Sequence, residues 1–313
     1  MSVSILGAGA FGSALAVALS AKTPVTLWGR DVSWGRSNPH LPNVILPDAI
    51  TITDDLASAT KAETILLAVP AQALSGFLDQ NAALLNGKRL VSTAKGIDLT
   101  RLTGPSTLIA EACPDATIAV LTGPSFAADI ARGLPTALTL ACADKDAAST
   151  LQHTLSTPVL RLYRTSDVIG AELGGALKNV VAIAAGVVIG AGFGDSARAA
   201  IITRGFAEMT WLTTHLGGHP ETLTGLSGLG DLTLTCTSAQ SRNFRFGQAL
   251  GQGQPFDPAT TVEGAATARA VAAMALKEGH ELPIATMVAK LSQGSVSVKT
   301  AAEYLLTRPL KEE

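Results

Sequence analysis

A chain of 313 residues with 47% hydrophobic content is long enough for two domains, each burying a core of its own. The formal net charge of −2, with only 15% charged residues and no Lys/Arg cluster, argues against a nucleic-acid or anionic-membrane partner held by bulk electrostatics, so any phosphate must be met by a few placed cations. Cys113, Cys142 and Cys236 are odd in number, far apart and form no C-x-x-C pair, which signals neither a disulfide framework nor a zinc site and fits a reducing cytoplasm.

In chain order, Val3 to Leu6 reads as a strand that opens the fold at once, with no targeting segment expected before it. It feeds Gly7-Ala8-Gly9-Ala10-Phe11-Gly12, which in turn opens an apolar helix. This is the context that a bare G-x-G-x-x-G pattern lacks. Gly7 permits the tight turn, Gly9 lets backbone amides approach a pyrophosphate, and Gly12 lets helix and strand pack closely. The unpaired N–H groups and positive dipole end of the helix then face the anion. A dinucleotide-binding oxidoreductase is the class implied.

A second strand, Val25 to Trp28, ends at Gly29-Arg30-Asp31. An NAD-specific site places an acid here for the ribose hydroxyls, whereas Arg30 can grip a 2′-phosphate. Arg30 therefore favours NADPH, with NADH as the alternative. Asp31 can pair with Arg30 or turn to the ribose, and a solvated surface cation is the ordinary reading of Arg30 itself. The polar stretch Ser33 to Asn43 reads as a surface loop. Further strands are expected at Thr64-Val69, Arg89-Thr93, Thr117-Thr122 and Thr136-Ala141, alternating with helical stretches as in βαβ units around a parallel sheet. Ligands collect at the carboxyl ends of such strands.

From about Ser166 the chain turns to long Ala/Leu/Val/Gly-rich segments with helical periodicity. The fold class expected is α/β: an N-terminal Rossmann-like doubly wound sheet over residues 1–165, then an all-α substrate and catalytic domain over 166–313. The positive mean hydropathy invites a membrane reading, and its best candidate is Val180 to Phe193. That run falls short of the roughly 20 apolar residues a span requires, so a buried helix is expected instead. The five histidines show no metal-ligand spacing; the nearest pair, His215 and His219, lies beside Gly217-Gly218 and Pro220 in a turn. No metal is expected.

Within Gly170-Ala171-Glu172-Leu173-Gly174-Gly175-Ala176-Leu177-Lys178-Asn179, one lysine enters an apolar run. Burying it is costly unless it is paired or used, which makes Lys178 a functional candidate; a snorkelling lysine at the helix edge is the equal alternative. Further on, Thr224-Gly225-Leu226-Ser227-Gly228-Leu229-Gly230-Asp231-Leu232 is a glycine-dense turn delivering an acid that could balance Lys178, and Ser241-Arg242-Asn243 follows. Ser241 suits an N-cap, and Arg242 with neighbouring amides would make a compact phosphate site. Taken singly, Asp231 is equally a turn residue, Ser241 a plain cap and Arg242 a surface charge.

Taken together, these elements resemble the bacterial-type NAD(P)-dependent glycerol-3-phosphate dehydrogenases. The resemblance runs through Gly7-Ala8-Gly9, Leu27-Trp28-Gly29-Arg30, Ala94-Lys95-Gly96, Leu121-Thr122-Gly123-Pro124-Ser125-Phe126-Ala127, Gly174-Gly175-Ala176-Leu177-Lys178-Asn179-Val180, Gly228-Leu229-Gly230-Asp231-Leu232, Thr235-Cys236-Thr237, Ser241-Arg242-Asn243 and Val262-Glu263-Gly264. It covers nearly the whole chain and departs from the pattern in a short loop between the second and third expected strands.

The resemblance implies reduction of dihydroxyacetone phosphate to sn-glycerol 3-phosphate for phospholipid synthesis, by a cytoplasmic homodimer without a membrane span. It assigns proton exchange to Lys178, with Asp231, Lys95, Asn179 and Thr235 completing the catalytic group. Lys95, Gly123, Ser125, Lys178, Asp231, Ser241, Arg242 and Asn243 match substrate contacts. Ala10, Phe11, Arg30, Lys95, Ala127, Arg242 and Glu263 match cofactor contacts, beside Gly7, Gly9 and Gly12 of the turn. Burial and Arg242 are expected to lower the Lys178 pKa from its free value of about 10.4, with Asp231 opposing them. The rival expectations are a reductase of other small hydroxyacids and a redox-sensing protein that binds the nucleotide without chemistry.

Overall fold

The computed structural model describes residues 2–307. Eight strands form one sheet: β1 Val3–Leu6, β2 Val25–Trp28, β3 Ile50–Thr53, β4 Thr64–Leu67, β5 Arg89–Ser92, β6 Thr117–Thr122, β7 Thr136–Ala141 and β8 Leu160–Thr165. Their order is β3-β2-β1-β4-β5-β6-β7-β8. The order reverses at β1, which has β2 on one side and β4 on the other, and the carboxyl end of β1 carries the glycine turn. Every residue of β1 and β4 is buried, as expected of parallel strands covered on both faces.

Helices α1 Ala10–Ser20, α2 Leu56–Ala59, α3 Ala71–Leu85, α4 Pro105–Ala112, α5 Ala127–Ala131 and α6 Lys145–Leu155 connect the strands. One core, containing Leu15, Leu19, Ile5, Leu27 and Leu138, covers one face of the sheet; Leu74, Leu78, Ile65, Leu90 and Leu108 belong to the core on the other.

Three differences from the sequence reading have physical causes. The sheet is not wholly parallel, because β7 pairs antiparallel to β6, with Leu121 opposite Leu140, before β8 resumes parallel to β7. Two strands escaped notice: β3 is a four-residue Ile-Thr-Ile-Thr run, and β8 carries exposed Arg161, Tyr163 and Arg164, charges that suit a sheet edge but dilute an apolar signal. The Ser33 to Asn43 segment is not simply a surface loop. Asn38 and Leu41 within it are buried, and the Asn38 amide donates to Ala8 O at 2.8 Å and Ser13 Oγ at 2.7 Å, strapping the glycine turn.

Beyond β8 the elements of the described residues are helical: α7 Val168–Gly190, α8 Gly194–His215, α9 Pro220–Leu223, a π turn at Leu226–Gly230, α10 Asp231–Thr237, α11 Arg242–Gln252, α12 Glu263–Glu278, α13 Pro283–Ser292 and α14 Val298–Leu306. The apolar run is therefore longer than the stretch from Val180 suggested. The 23-residue α7 is long and apolar enough to cross a membrane, yet 89% of its most apolar window is buried inside the protein. Buried on nearly every side, it is the axis about which the helical half packs. Asp167 starts it by accepting from Gly170 N at 2.8 Å. Helix α11 crosses it at a distance only glycine allows: a Cβ at Gly186 would lie 2.1 Å from Phe244 O, and one at Gly247 2.1 Å from Ile183 O. This crossing fixes where α11 begins, and hence where Ser241, Arg242 and Asn243 stand.

Candidate active site

The glycine turn has the geometry a pyrophosphate requires. Gly7 sits at φ +123°, and a Cβ there would come within 2.5 Å of Ala68 O. At Gly12 a Cβ would meet Gly7 O at 2.0 Å, so helix and turn are pressed together. Gly9 faces open space, and α1 starts there without a side-chain cap, leaving the amides of Ala10 and Phe11 at a helix N-terminus aimed outward. The backbone thus fits a dinucleotide in a way a residue with a side chain at these positions would prevent. At the end of β2, Arg30 and Asp31 are both exposed. The Asp31 carboxylate accepts from Ser33 N at 2.9 Å, which holds its pKa below the usual carboxylate value and engages it away from Arg30.

Helix α7 delivers Lys178 to the carboxyl end of the sheet as a buried cation, 6% exposed, which decides between the two readings of this lysine against snorkelling. Its Nζ donates to Asp231 Oδ1 and Thr235 Oγ1, both at 2.7 Å. Asp231 is wholly buried at the start of α10, where the π turn supplies the reversal that aims it at α7, and Thr235 follows one helical turn later. The other Asp231 oxygen, Oδ2, accepts from Lys95 Nζ at 2.7 Å, and the same ammonium reaches Gly123 O at 3.0 Å. One carboxylate therefore bridges two lysines from opposite halves of the chain. Lys95 also stands 6.0 Å above the Phe11 ring, which connects this cluster to the glycine turn.

Burial is the main cause that brings the Lys178 pKa down to about 8, with Asp231 opposing it and the Lys95 charge adding to it. The cation that assists burial is thus Lys95 and not Arg242, as the sequence reading had it. Arg242 lies exposed at the first position of α11, and its field falls on Glu263.

Ser241 is the N-cap of α11, its Oγ accepting from Phe244 N at 3.1 Å. Asn179, the residue after the lysine, donates to Lys95 O at 3.3 Å and accepts from Asn243 Nδ2 at 2.9 Å; Asn243 Oδ1 in turn accepts from Gly264 N at 3.0 Å. Lys95, α7, α11 and α12 are joined by this relay of amides. Gly123 holds φ +131° beside Ser125, whose hydroxyl donates to Gly123 O at 3.1 Å, and Ala127 begins α5 just beyond. Glu263, at the start of α12, accepts from Ala71 N at 3.2 Å through Oε1, while its buried Oε2 has no protein partner; burial raises its pKa. An orphaned carboxylate oxygen beside Gly96 fits a site that receives a polar ligand group.

Two buried polar residues went unread in the sequence. Thr122 Oγ1 has no protein partner and would lie 2.4 Å from a Cβ at Gly175. Glu172 accepts from Ser106 N at 2.7 Å and Ser106 Oγ at 2.9 Å, so α7 caps the start of α4 in the sheet domain. Burial outweighs these bonds and pushes its pKa up to about 7. The desolvation argument that singled out Lys178 applied equally to this carboxylate, six positions earlier in the same apolar run.

Known proteins share this sequence and fold. The family model described as NAD-dependent glycerol-3-phosphate dehydrogenase N-terminus matches residues 2–148, and its C-terminal counterpart matches 167–303. The chain is 66% identical over 315 residues to a glycerol-3-phosphate dehydrogenase [NAD(P)+] of Paracoccus denitrificans, covering 100% of both chains. It is 61% identical to the protein of that name from Cereibacter sphaeroides, covering 99% of this chain and 100% of the relative. The crystal structure of glycerol-3-phosphate dehydrogenase from Coxiella burnetii superposes with a TM-score of 0.92 at 36% identity, over 98% of this chain and 99% of that one. The chain is an oxidoreductase with a Rossmann-like N-terminal domain and a helical C-terminal domain, and it belongs to the NAD-dependent glycerol-3-phosphate dehydrogenase family.

Proposed function

We propose that the chain reduces dihydroxyacetone phosphate to sn-glycerol 3-phosphate for phospholipid synthesis, using NADPH in preference to NADH, as a cytoplasmic homodimer divided into two domains near residue 165. The observation that carries the reading is the buried Lys178, held by Asp231 and Thr235 at the carboxyl end of the sheet with its pKa lowered to about 8. Arg30, free of Asp31, supports the cofactor preference; the dispersed cysteines support the compartment. Exposed apolar side chains of the helical half, such as Phe193 and Leu276, offer a surface for the second subunit.

Reduced nicotinamide supplies the hydride to the ketone carbon when bound. Lys178 hydrogen-bonds the carbonyl oxygen, stabilises the negative charge that grows there and delivers its Nζ proton to it. Asp231 and Thr235 hold the ammonium in place, since both bonds end on the same Nζ. In the reverse direction the lysine must accept the alcohol proton, and a pKa of about 8 makes the neutral amine accessible near neutrality. Lys95, with the Gly123 and Ser125 turn, lines the substrate side of the same carboxylate. Arg242, Ser241 and Asn243 at the start of α11 meet the phosphate, orienting the ketone from a distance. Glu263 would offer its unpaired oxygen to a polar group of the bound cofactor.

Initial rates with dihydroxyacetone phosphate against each reduced cofactor test the proposal. Turnover is expected with both, with higher kcat/KM for NADPH. Absence of turnover with dihydroxyacetone phosphate alongside reduction of an unphosphorylated 2-keto acid would replace it with a hydroxyacid reductase.

A further inference from the structure

Outside the lysine cluster, two helices end at one place. Helix α8 finishes at His215 and α12 at Glu278; the left-handed cap Gly279, φ +71°, then turns the chain so that His280 comes back over the same spot. One ligand atom from each of His215, Glu278 and His280 lies within 4.8 Å of the other two, and His215 Nε2 is 2.5 Å from Glu278 Oε2. In sequence His215 and Glu278 are 63 positions apart, which is why linear spacing gave no hint.

The rings are held by more than this contact. Trp211, one turn before His215, stacks on its imidazole at 5.0 Å with 9° between the planes, and meets His280 edge-on at 4.6 Å. The two imidazoles stand 5.1 Å apart at 72°. The carbonyl ends of two helices converge here, and each carries the partial negative charge that favours a cation. Two imidazoles and a carboxylate form a donor set suited to zinc-class first-row ions and poorly suited to calcium or magnesium. Around such an ion, bonds of about 2.0–2.1 Å place donor atoms roughly 3.4 Å apart, and the three donor atoms here already lie within 4.8 Å of one another.

We propose that His215, Glu278 and His280 form a three-ligand site for a zinc-class divalent cation, with water completing the coordination, which ties the end of α8 to the end of α12. The ion would be structural, because none of the three residues belongs to the lysine cluster or the glycine turn. The site stands independently of the substrate reading.

The test is calorimetric titration of the tag-free, chelator-treated full chain with zinc chloride. Saturable, equimolar binding in the micromolar range or tighter is expected, with an accompanying rise in Tm. His280→Ala and Glu278→Gln should each weaken binding at least tenfold and remove the rise in Tm, while leaving initial dehydrogenase rates unchanged. His280 lies beyond the helix cap, so its truncation spares both helices; unchanged rates verify the fold. Absence of saturable binding up to millimolar zinc, or binding of undiminished strength in both variants, overturns the proposal.

Discussion

Lys178 and Lys95 are bound to opposite oxygens of one carboxylate: Asp231 Oδ1 lies 2.7 Å from the first ammonium and Oδ2 lies 2.7 Å from the second. Asp231 is wholly buried, so its charge is spent on these two cations. The lysine from α7 and the lysine after β5 are thereby held at one point where sheet and helical halves meet.

Loss of Lys178 should abolish proton delivery without disturbing the cofactor turn. Lys178→Ala is expected to lower kcat by about 10²- to 10⁴-fold, the range of general acid catalysis. Binding of reduced cofactor, followed by fluorescence, should change little. Near-normal turnover in a folded variant would remove the proton-transfer role.

The pH profile should reveal Asp231. Oxidation of the alcohol requires neutral Lys178, so its rate should rise with pH through about 8. Asp231 raises this pKa, and Asp231→Asn should therefore move the inflection to lower pH, as measured by kcat against pH in the oxidative direction. An inflection that stays in place would mean that another group titrates.

Arg242→Ala should discriminate between substrates. A charged hydrogen bond contributes about 1.5–3 kcal/mol, so kcat/KM for dihydroxyacetone phosphate should fall by roughly 10- to 150-fold. Dihydroxyacetone without its phosphate should be turned over as poorly by the variant as by the parent. Equal losses on both would assign Arg242 to the cofactor or the fold.

Glu172 should make stability fall with pH. Its carboxyl is protonated more readily in the folded chain, at about 7, than at its ordinary 4.5. The favourable contribution of the protonated form is complete below 4.5 and is lost as pH rises through about 7. The interval corresponds to about 3 kcal/mol. Glu172→Gln keeps an acceptor for Ser106 N and a donor for Ser106 Oγ, so denaturant titrations should find it more stable than the parent at pH 8 and indistinguishable from it at pH 4. A variant destabilised at both would show that the ionised form supports the cap.

Gly7→Ala tests the turn. With φ +123° and Ala68 O only 2.5 Å from the added carbon, the change should cost about 1–3 kcal/mol from backbone strain alone. Weaker binding of reduced cofactor, with the Lys178 pH profile intact in the surviving activity, would place the damage in the turn.

The sequence alone determined the elements whose signals are local. Gly7, Gly9 and Gly12 sit at spacings dictated by one turn, and buried parallel strands such as Val3–Leu6 and Thr64–Leu67 announce themselves as short runs that are apolar but for Ser4 and Thr64. The candidacy of Lys178 was also local, because a lysine among alanines and valines carries a desolvation cost wherever the chain goes. Tertiary structure decided what that lysine meets. Asp231 is 53 positions from Lys178 and 136 from Lys95, and only the packing of the π turn against α7 brings the three together. It also decided that Lys95, and not Arg242, shares the field of Lys178, that Asn38 straps the glycine turn, and that Glu172 caps a helix of the other domain. Edge strands β3 and β8 lay between these cases, since half-polar strands take their identity from the neighbour they pair with. Hydrogen bonds and ion pairs act over a few ångströms of space, and the fold alone sets which distant residues share them.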